Sequence, residues 1–191
     1  MDVDQGIINW YKRRAVHQEI FHLLENVACT GHAVAQFHLA KCYRNGRGAE
    51  QDHAKAVEIY RNLADGGIPQ AQVALGCCYE SGEGVDQDYG TTIEWYSKAA
   101  DQGSEDGRLH ILGESYYYGY GVTQDHIKAI EWYRKSAEQG NRYGQKYLGY
   151  CYQYGWGVDA DIDTAVFWYR KSAKQGNKDA IDKLKSLGKW P

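Results

Sequence analysis

Apolar residues recur along this chain at spacings of three and four, with no run of strand-like alternation. Laid on itself, the sequence returns one motif four times, at intervals of 36, 37 and 36 residues. The landmarks are the Gly-x-Gly pairs Gly46/Gly48, Gly82/Gly84, Gly119/Gly121 and Gly155/Gly157. At constant distance follow Ile59-Tyr60, Trp95-Tyr96, Trp132-Tyr133 and Trp168-Tyr169, and each copy closes on Gly67, Gly103, Gly140 or Gly176.

Each copy predicts two helices. The first carries Ala71, Leu75, Gly76 and Tyr79 (second copy) on one face. The second follows an aspartate suited to N-capping, at Asp52, Asp88, Asp125 and Asp161, and buries a stripe such as Ala129, Tyr133 and Ala137. A glycine then supplies the left-handed residue that ends it. Pro69 falls in a first turn, where a missing N–H costs nothing. Small contact residues let helix axes approach, and Trp and Tyr rings fill the gaps between layers. Ala129, Tyr133, Leu148 and Tyr152 are expected in the core.

A helix pair this short cannot bury its own apolar face, so the copies must stack. The expected architecture is all-α, a right-handed superhelical solenoid of antiparallel pairs, ten to twelve helices in all, with first helices on the concave side. Repeats are read at 33–67, 68–103, 104–140 and 141–176. Residues 1–32 are read as N-terminal capping helices, a short one around 4–13 and a second over 16–31. Residues 177–191 form a C-terminal capping helix and tail, with Ala180, Leu184 and Leu187 inward and Lys178, Asp182, Lys183 and Lys185 outward. The third copy carries one extra residue, because Gly103 to Gly113 spans ten where Gly67 to Gly76 spans nine. That places Arg108 where Ala71 or Gly144 would sit. A longer turn or a π-bulge bringing Gly107 into the contact is expected.

The motif A-x-x-x-L-G-x-x-Y-x-x-G-x-G-V…D-x-x-x-A-x-x-W-Y-x-K-A-A-x-x-G resembles the Sel-1-like repeat family over roughly residues 33 to 176. Its period and Gly-x-Gly-Val turn separate it from the 34-residue tetratricopeptide repeat. The resemblance implies a non-enzymatic adaptor of membrane-associated or signalling complexes; relatives act in endoplasmic-reticulum quality control, chitin synthase activation and bacterial host interaction. It also implies an alternative, a secreted bacterial cysteine-rich branch with glycan- or β-lactam-directed binding or hydrolysis. In that branch a cysteine of each second helix is bridged to the next first helix. Here Cys29 matches a first half, but Gln36 stands at its partner's place and later copies have neither.

Composition narrows the function classes. With 22 Lys and Arg against 25 Asp and Glu, the net charge is −3, and no basic stripe marks a nucleic-acid binder. Lys12, Arg13 and Arg14 form the densest basic run, read as a solvated turn. No stretch approaches the roughly 20 apolar residues of a membrane span, and no secretory h-region is visible. Cys42, Cys78 and Cys151 share one repeat position and read as small core residues, which with the odd total of 5 fits a reducing, cytoplasmic setting.

Candidate chemistry is thin. A helix precedes each Gly-x-Gly, so these are turns and not phosphate loops. His38 with Cys42, and the Cys77-Cys78 pair, match no closed zinc set. Asp52-His53 and Asp125-His126 are cap aspartates beside exposed histidines, with no nucleophile placed near. No catalytic residue, metal or cofactor is expected.

The informative stripe is the one that varies between copies. It reads Val34, His38, Lys41, Asn45, then Gln70, Ala74, Cys77, Ser81, then Ile111, Glu114, Tyr118, then Tyr143, Tyr147, Tyr150, Tyr154. Packing demands a constant face; a varying one is free for recognition. Ten of the 17 tyrosines lie between Tyr116 and Tyr154, and Trp156 follows. Such rings are preferred anchors of interfaces. The expected partner-binding residues are Ile111, Glu114, Tyr118, Tyr120, Tyr143, Tyr147, Tyr150, Tyr154 and Trp156, with a peptide or helix of another protein as ligand. Their rings are expected to be open in the free protein, so that losing one leaves stability nearly unchanged, unless the last helix folds across them.

Overall fold

The structure, a computed structural model, describes residues 3–103 and 108–190, with side chains from residue 15 onward. Among these residues there are ten helices and no strand: α1 (Val3–Ala28), α2 (Ala33–Asn45), α3 (His53–Asp65), α4 (Pro69–Ser81), α5 (Tyr89–Asp101), α6 (Leu109–Tyr118), α7 (His126–Glu138), α8 (Arg142–Tyr154), α9 (Ile162–Lys174) and α10 (Lys178–Ser186). The fold is an all-α repeat of the solenoid class. Two compact units divide it, Met1–Asp88 and Tyr89–Pro191.

In the first unit, α1 is one continuous helix of 26 residues, not a short helix followed by a second. The run Lys12 to Val16 contains no glycine or proline, so nothing stops a helix there. Phe21 and Ala28 of α1 form a core with Ala35 and Leu39 of α2. The predicted caps form at Asp52, whose carboxylate accepts from the Lys55 N–H at 2.9 Å, and in the second unit at Asp125 and Asp161.

Both glycines of each Gly-x-Gly have a steric reason. The first, at Gly46, Gly82, Gly119 and Gly155, is the left-handed residue that ends its helix. The second lies on an earlier helix, and a Cβ on Gly84 would run into the carbonyl of His53, one on Gly157 into that of His126. Another contact of no distance sets the core. Gly113 lies against the Tyr133 ring and Gly149 against the Tyr169 ring, where a methyl group would not fit. Tyr60, Tyr96, Tyr133 and Tyr169 are accordingly almost wholly buried.

Gln36, Gln72 and Gln145 each donate a side-chain N–H to the carbonyl eight residues back, on Ala28, Ala64 and Ala137. Leu109 stands at this position in the third copy and is buried. There α6 has 10 residues where α4 and α8 have 13. It begins only after Arg108, which is exposed with φ 40°, its guanidinium 6.0 Å from the Tyr96 ring centroid. The extra residue expected in this copy falls at 104–107, and these positions, Gly107 among them, lie outside the described residues. Ala129, Tyr133 and Leu148 are core residues as expected, while Tyr152 is half-buried because its hydroxyl faces Arg134 at the edge.

Candidate partner-binding surface

In the second unit, α8 is capped by Asn141, whose side chain accepts from the N–H groups of Tyr143 and Gly144. Gly144 rests on Ser136, which holds α8 close to α7 and turns Leu148 and Cys151 into the core. The helical period then assigns Tyr143, Tyr147, Tyr150 and Tyr154 to another face. On α6 the corresponding face carries Ile111, Glu114 and Tyr118. The left-handed glycines Gly119 and Gly155 reverse the chain and return Tyr120 and Trp156 beside these faces.

The rings join into one band. Tyr120 stacks on Tyr118 with centroids 5.3 Å apart, and Tyr118 meets Tyr117 edge-on at 4.7 Å. Tyr117 meets Trp156 at 4.9 Å, and Trp156 stacks on Tyr154 at 4.8 Å. Tyr154, Tyr150 and Tyr147 follow at 6.4 and 5.9 Å, and Tyr147 stacks on the buried Tyr133 at 5.0 Å. Tyr143 lies apart from this series, stacked on His110 at 5.4 Å.

Exposure falls inward along the band. Tyr118, Tyr120, Tyr143 and Tyr154 are 52%, 57%, 39% and 46% exposed, whereas Tyr147, Tyr150, Trp156, Ile111 and Glu114 are half-buried. The rings are thus not all open, and the two central tyrosines help to hold the fold. Tyr147 packs on the cluster of Ala129, Tyr133 and Leu148, and Tyr150 on that of Tyr169 and Leu184, with Ile181 and Leu187 beside it. The last helix packs on Tyr150 and borders Tyr154, while Tyr118 and Tyr120 stay exposed. Lys183 of α10 donates to the Tyr154 hydroxyl at 3.0 Å, and Lys146, paired with Asp179 at 3.1 Å, lies 4.1 Å from the Tyr147 centroid.

Between these rings is a cavity of about 120 Å³, lined by Tyr117, Tyr118, Tyr133, Tyr147, Tyr150, Cys151 and Trp156. Tyr117, Tyr133 and Cys151 are absent from the sequence-derived set. Tyr117 had a signal: it stands four residues after Gly113, where the other copies carry Arg44, Glu80 and Gln153. The consequence is visible on Tyr133, whose buried hydroxyl has no hydrogen-bond partner, while its counterpart Tyr169 donates to Gln153 Oε1 at 2.7 Å. Burial first, and the neighbouring Glu114 carboxylate second, push the Tyr147 phenol far above its ordinary range.

The matching face of the first copy carries His38, Lys41 and Asn45 in place of tyrosines. A cleft of about 300 Å³ there is lined by His17, Ile20, Leu24, His38, Lys41, Cys42, Asn45 and Arg47. None of Cys29, Cys42, Cys77, Cys78 and Cys151 is in a disulfide. Burial pushes the thiol of Cys78 up to about 11 and that of Cys151 up to about 12, so both stay protonated at neutral pH and are poor nucleophiles. Cys77, counted in the varying stripe, is also buried. Among the described residues no group of three His, Cys, Asp or Glu side chains is placed to hold a metal ion, and no helix is long and apolar enough to cross a membrane.

Comparison with known proteins accords with this geometry. The Sel1 repeat matches four times, at residues 33–68, 69–104, 109–141 and 142–177. A protective antigen of uropathogenic Escherichia coli strains, with an SLR fold, superposes with a TM-score of 0.83 at 35% identity, covering 87% of this chain and 36% of the antigen. This chain thus spans about a third of that protein's length. A Sel1 repeat protein from Oxalobacter formigenes gives a TM-score of 0.79 at 32% identity, over 89% of this chain and 69% of the other. Cysteine rich protein B of Helicobacter pylori gives 0.54 at 26% identity, over 70% of this chain and 96% of the other. No curated protein matches the chain. Sel1 repeat proteins are generally scaffolds for protein–protein interaction. With four matched copies and these structural relatives, the chain belongs to the Sel1 repeat family.

Proposed function

We propose that this protein is a non-enzymatic adaptor that binds a peptide or helix of another protein on the aromatic face of α6 and α8. The observation that carries the reading is the band from Tyr120 to Tyr147, whose outer rings are open while its inner rings are locked by the core. Anchors held rigid before binding lose little entropy on binding, and large rings beside half-buried ones make the pockets in which interface energy concentrates. The repeat itself does not require these tyrosines, since the first copy places Val34, His38, Lys41 and Asn45 on the equivalent face. Cys78 and Cys151, packed as core atoms, suit a chain that works with reduced thiols in the cytoplasm.

The test is affinity capture by wild type, a Tyr118→Ala/Tyr154→Ala variant and a Phe167→Ala control. Phe167 is 51% exposed on α9 and lies outside the band. Proteins captured by wild type and the control but lost from the double variant are the expected result. Equal capture by all three, with all three folded, removes the reading.

A further inference from the structure

The aromatic cavity has a chemistry more specific than an apolar contact. Its lining includes the rings of Tyr117, Tyr147, Tyr150 and Trp156, and aromatic rings attract cations through the negative side of their quadrupole. Its volume of about 120 Å³ is about four times a water's share of liquid volume and below the roughly 150 Å³ of a cavity that takes benzene. One polar group lines it and a second lies close by. The Tyr133 hydroxyl, on a residue 1% exposed, has no hydrogen-bond partner. The Glu114 carboxylate, beside the hydroxyl of Tyr147 and close to Tyr133, has no ion-pair partner among the described residues.

The protein already uses these rings for cations. Lys146 lies 4.1 Å from the Tyr147 centroid, and Lys183 lies 5.5 Å from those of Tyr150 and Tyr154. Lys146 is paired with Asp179 at 3.1 Å, which offsets part of its charge. An aromatic lining with an unpaired hydroxyl, and a carboxylate close to it, favours a positive group that can donate hydrogen bonds. A guanidinium would bring five donors and leave most unpaired, whereas an ammonium brings three on a compact head.

We propose that the cavity bounded by Tyr117, Tyr147, Tyr150 and Trp156 is a receptor for a lysine side chain of the bound partner. The ammonium donates to the Tyr133 hydroxyl, its charge is met by Glu114, and its methylenes lie against the rings. The Tyr133 hydroxyl thereby gains the partner that Tyr117, replacing a glutamine, denies it. This deepens the partner-binding reading and rests on it.

The experiment needs no partner protein. Backbone amides of 15N-labelled full chain are followed by NMR while Nα-acetyl-lysine methylamide, or its uncharged counterpart Nα-acetyl-norleucine methylamide, is added. The expected result is saturable shifts at Tyr117, Cys151 and Trp156, with the lysine probe binding about tenfold tighter than norleucine. Glu114→Gln should bring that ratio close to one, and Tyr133→Phe should lower it severalfold with the helical circular dichroism unchanged. Norleucine binding as well as lysine, no shift at the cavity amides, or an unaltered ratio in both variants each overturns the assignment. Should either variant fail to fold, the wild-type ratio still decides. A failed titration beside successful capture through Tyr118 and Tyr154 removes the lysine receptor alone; failed capture beside a positive titration removes the interface and leaves the cavity.

Discussion

Tyr169 donates its hydroxyl proton to Gln153 Oε1 at 2.7 Å, and both the ring and its bond sit behind Gly149. Tyr133 occupies the same niche behind Gly113 but faces Tyr117 in place of a glutamine, so its hydroxyl is unsatisfied. A buried hydrogen bond contributes about 1 kcal/mol, and keeping a buried hydroxyl unpaired costs a similar amount. Tyr169→Phe should therefore lower stability by about 1 kcal/mol, and Tyr133→Phe should leave it unchanged or raise it. Urea denaturation of the two variants checks this. Equal losses would mean that the Tyr133 hydroxyl is bonded in solution.

Leu148 is wholly buried between α7 and α9, in the cluster of Ala129, Ile130 and Tyr133. Leu148→Ala should cost roughly 2–5 kcal/mol, according to how far the site collapses. Because repeats stabilise their neighbours, the thermal transition should also broaden. A shift below one degree would place Leu148 outside the core.

Tyr147 and Tyr143 share a face of α8 but not a role. Tyr147→Ala removes a ring stacked on Tyr133 and should destabilise by about 2 kcal/mol or more, while Tyr143→Ala, at an exposed position, should stay within about 0.5 kcal/mol. Chemical denaturation of both variants separates them, and equal effects would contradict the inward gradient of burial.

Two glycines with the same backbone sign should differ in tolerance. Gly67 has φ +81° with open space around it, so Gly67→Ala costs only the left-handed strain, about 1–2 kcal/mol. Gly84 has φ +74° and lies on the His53 carbonyl, so Gly84→Ala adds a backbone clash and should cost clearly more. Comparing the two melting curves tests the docking of the Gly-x-Gly turn.

High pH should unfold the chain through its core phenols. Burial raises Tyr60, Tyr133, Tyr147 and Tyr169 in the folded state, so they stay neutral there after an unfolded chain would ionise. Such raised groups contribute their full stability below the unfolded value near 10, and it drains away as pH climbs above it. Absorbance at 295 nm should show these phenols ionising together with loss of helical circular dichroism. Independent ionisation of all the tyrosines before helix loss would contradict their burial.

What the sequence by itself determined is what local spacing and backbone sterics control. The period, the helix pairs, the cap aspartates, the left-handed glycines and the core positions Ala129, Tyr133 and Leu148 all answer to constraints within one or two turns of chain. The continuity of α1 was also local, but a pattern in register with a repeat suggested a break that no residue between Lys12 and Val16 enforces. The extra residue before α6 was countable, but only the structure shows that α6 begins after Arg108, whose guanidinium lies 6.0 Å from the Tyr96 ring centroid. Tertiary structure alone decided how far each tyrosine of one stripe is buried, because α7, α9 and α10 press on Tyr147 and Tyr150 and leave Tyr143 and Tyr154 more exposed. It also decided that Tyr117, on α6, would meet Trp156 from the turn after α8 and enclose a cavity with Tyr133. Those contacts join residues a whole repeat apart, and no spacing rule along the chain encodes the distance between side chains on different helices.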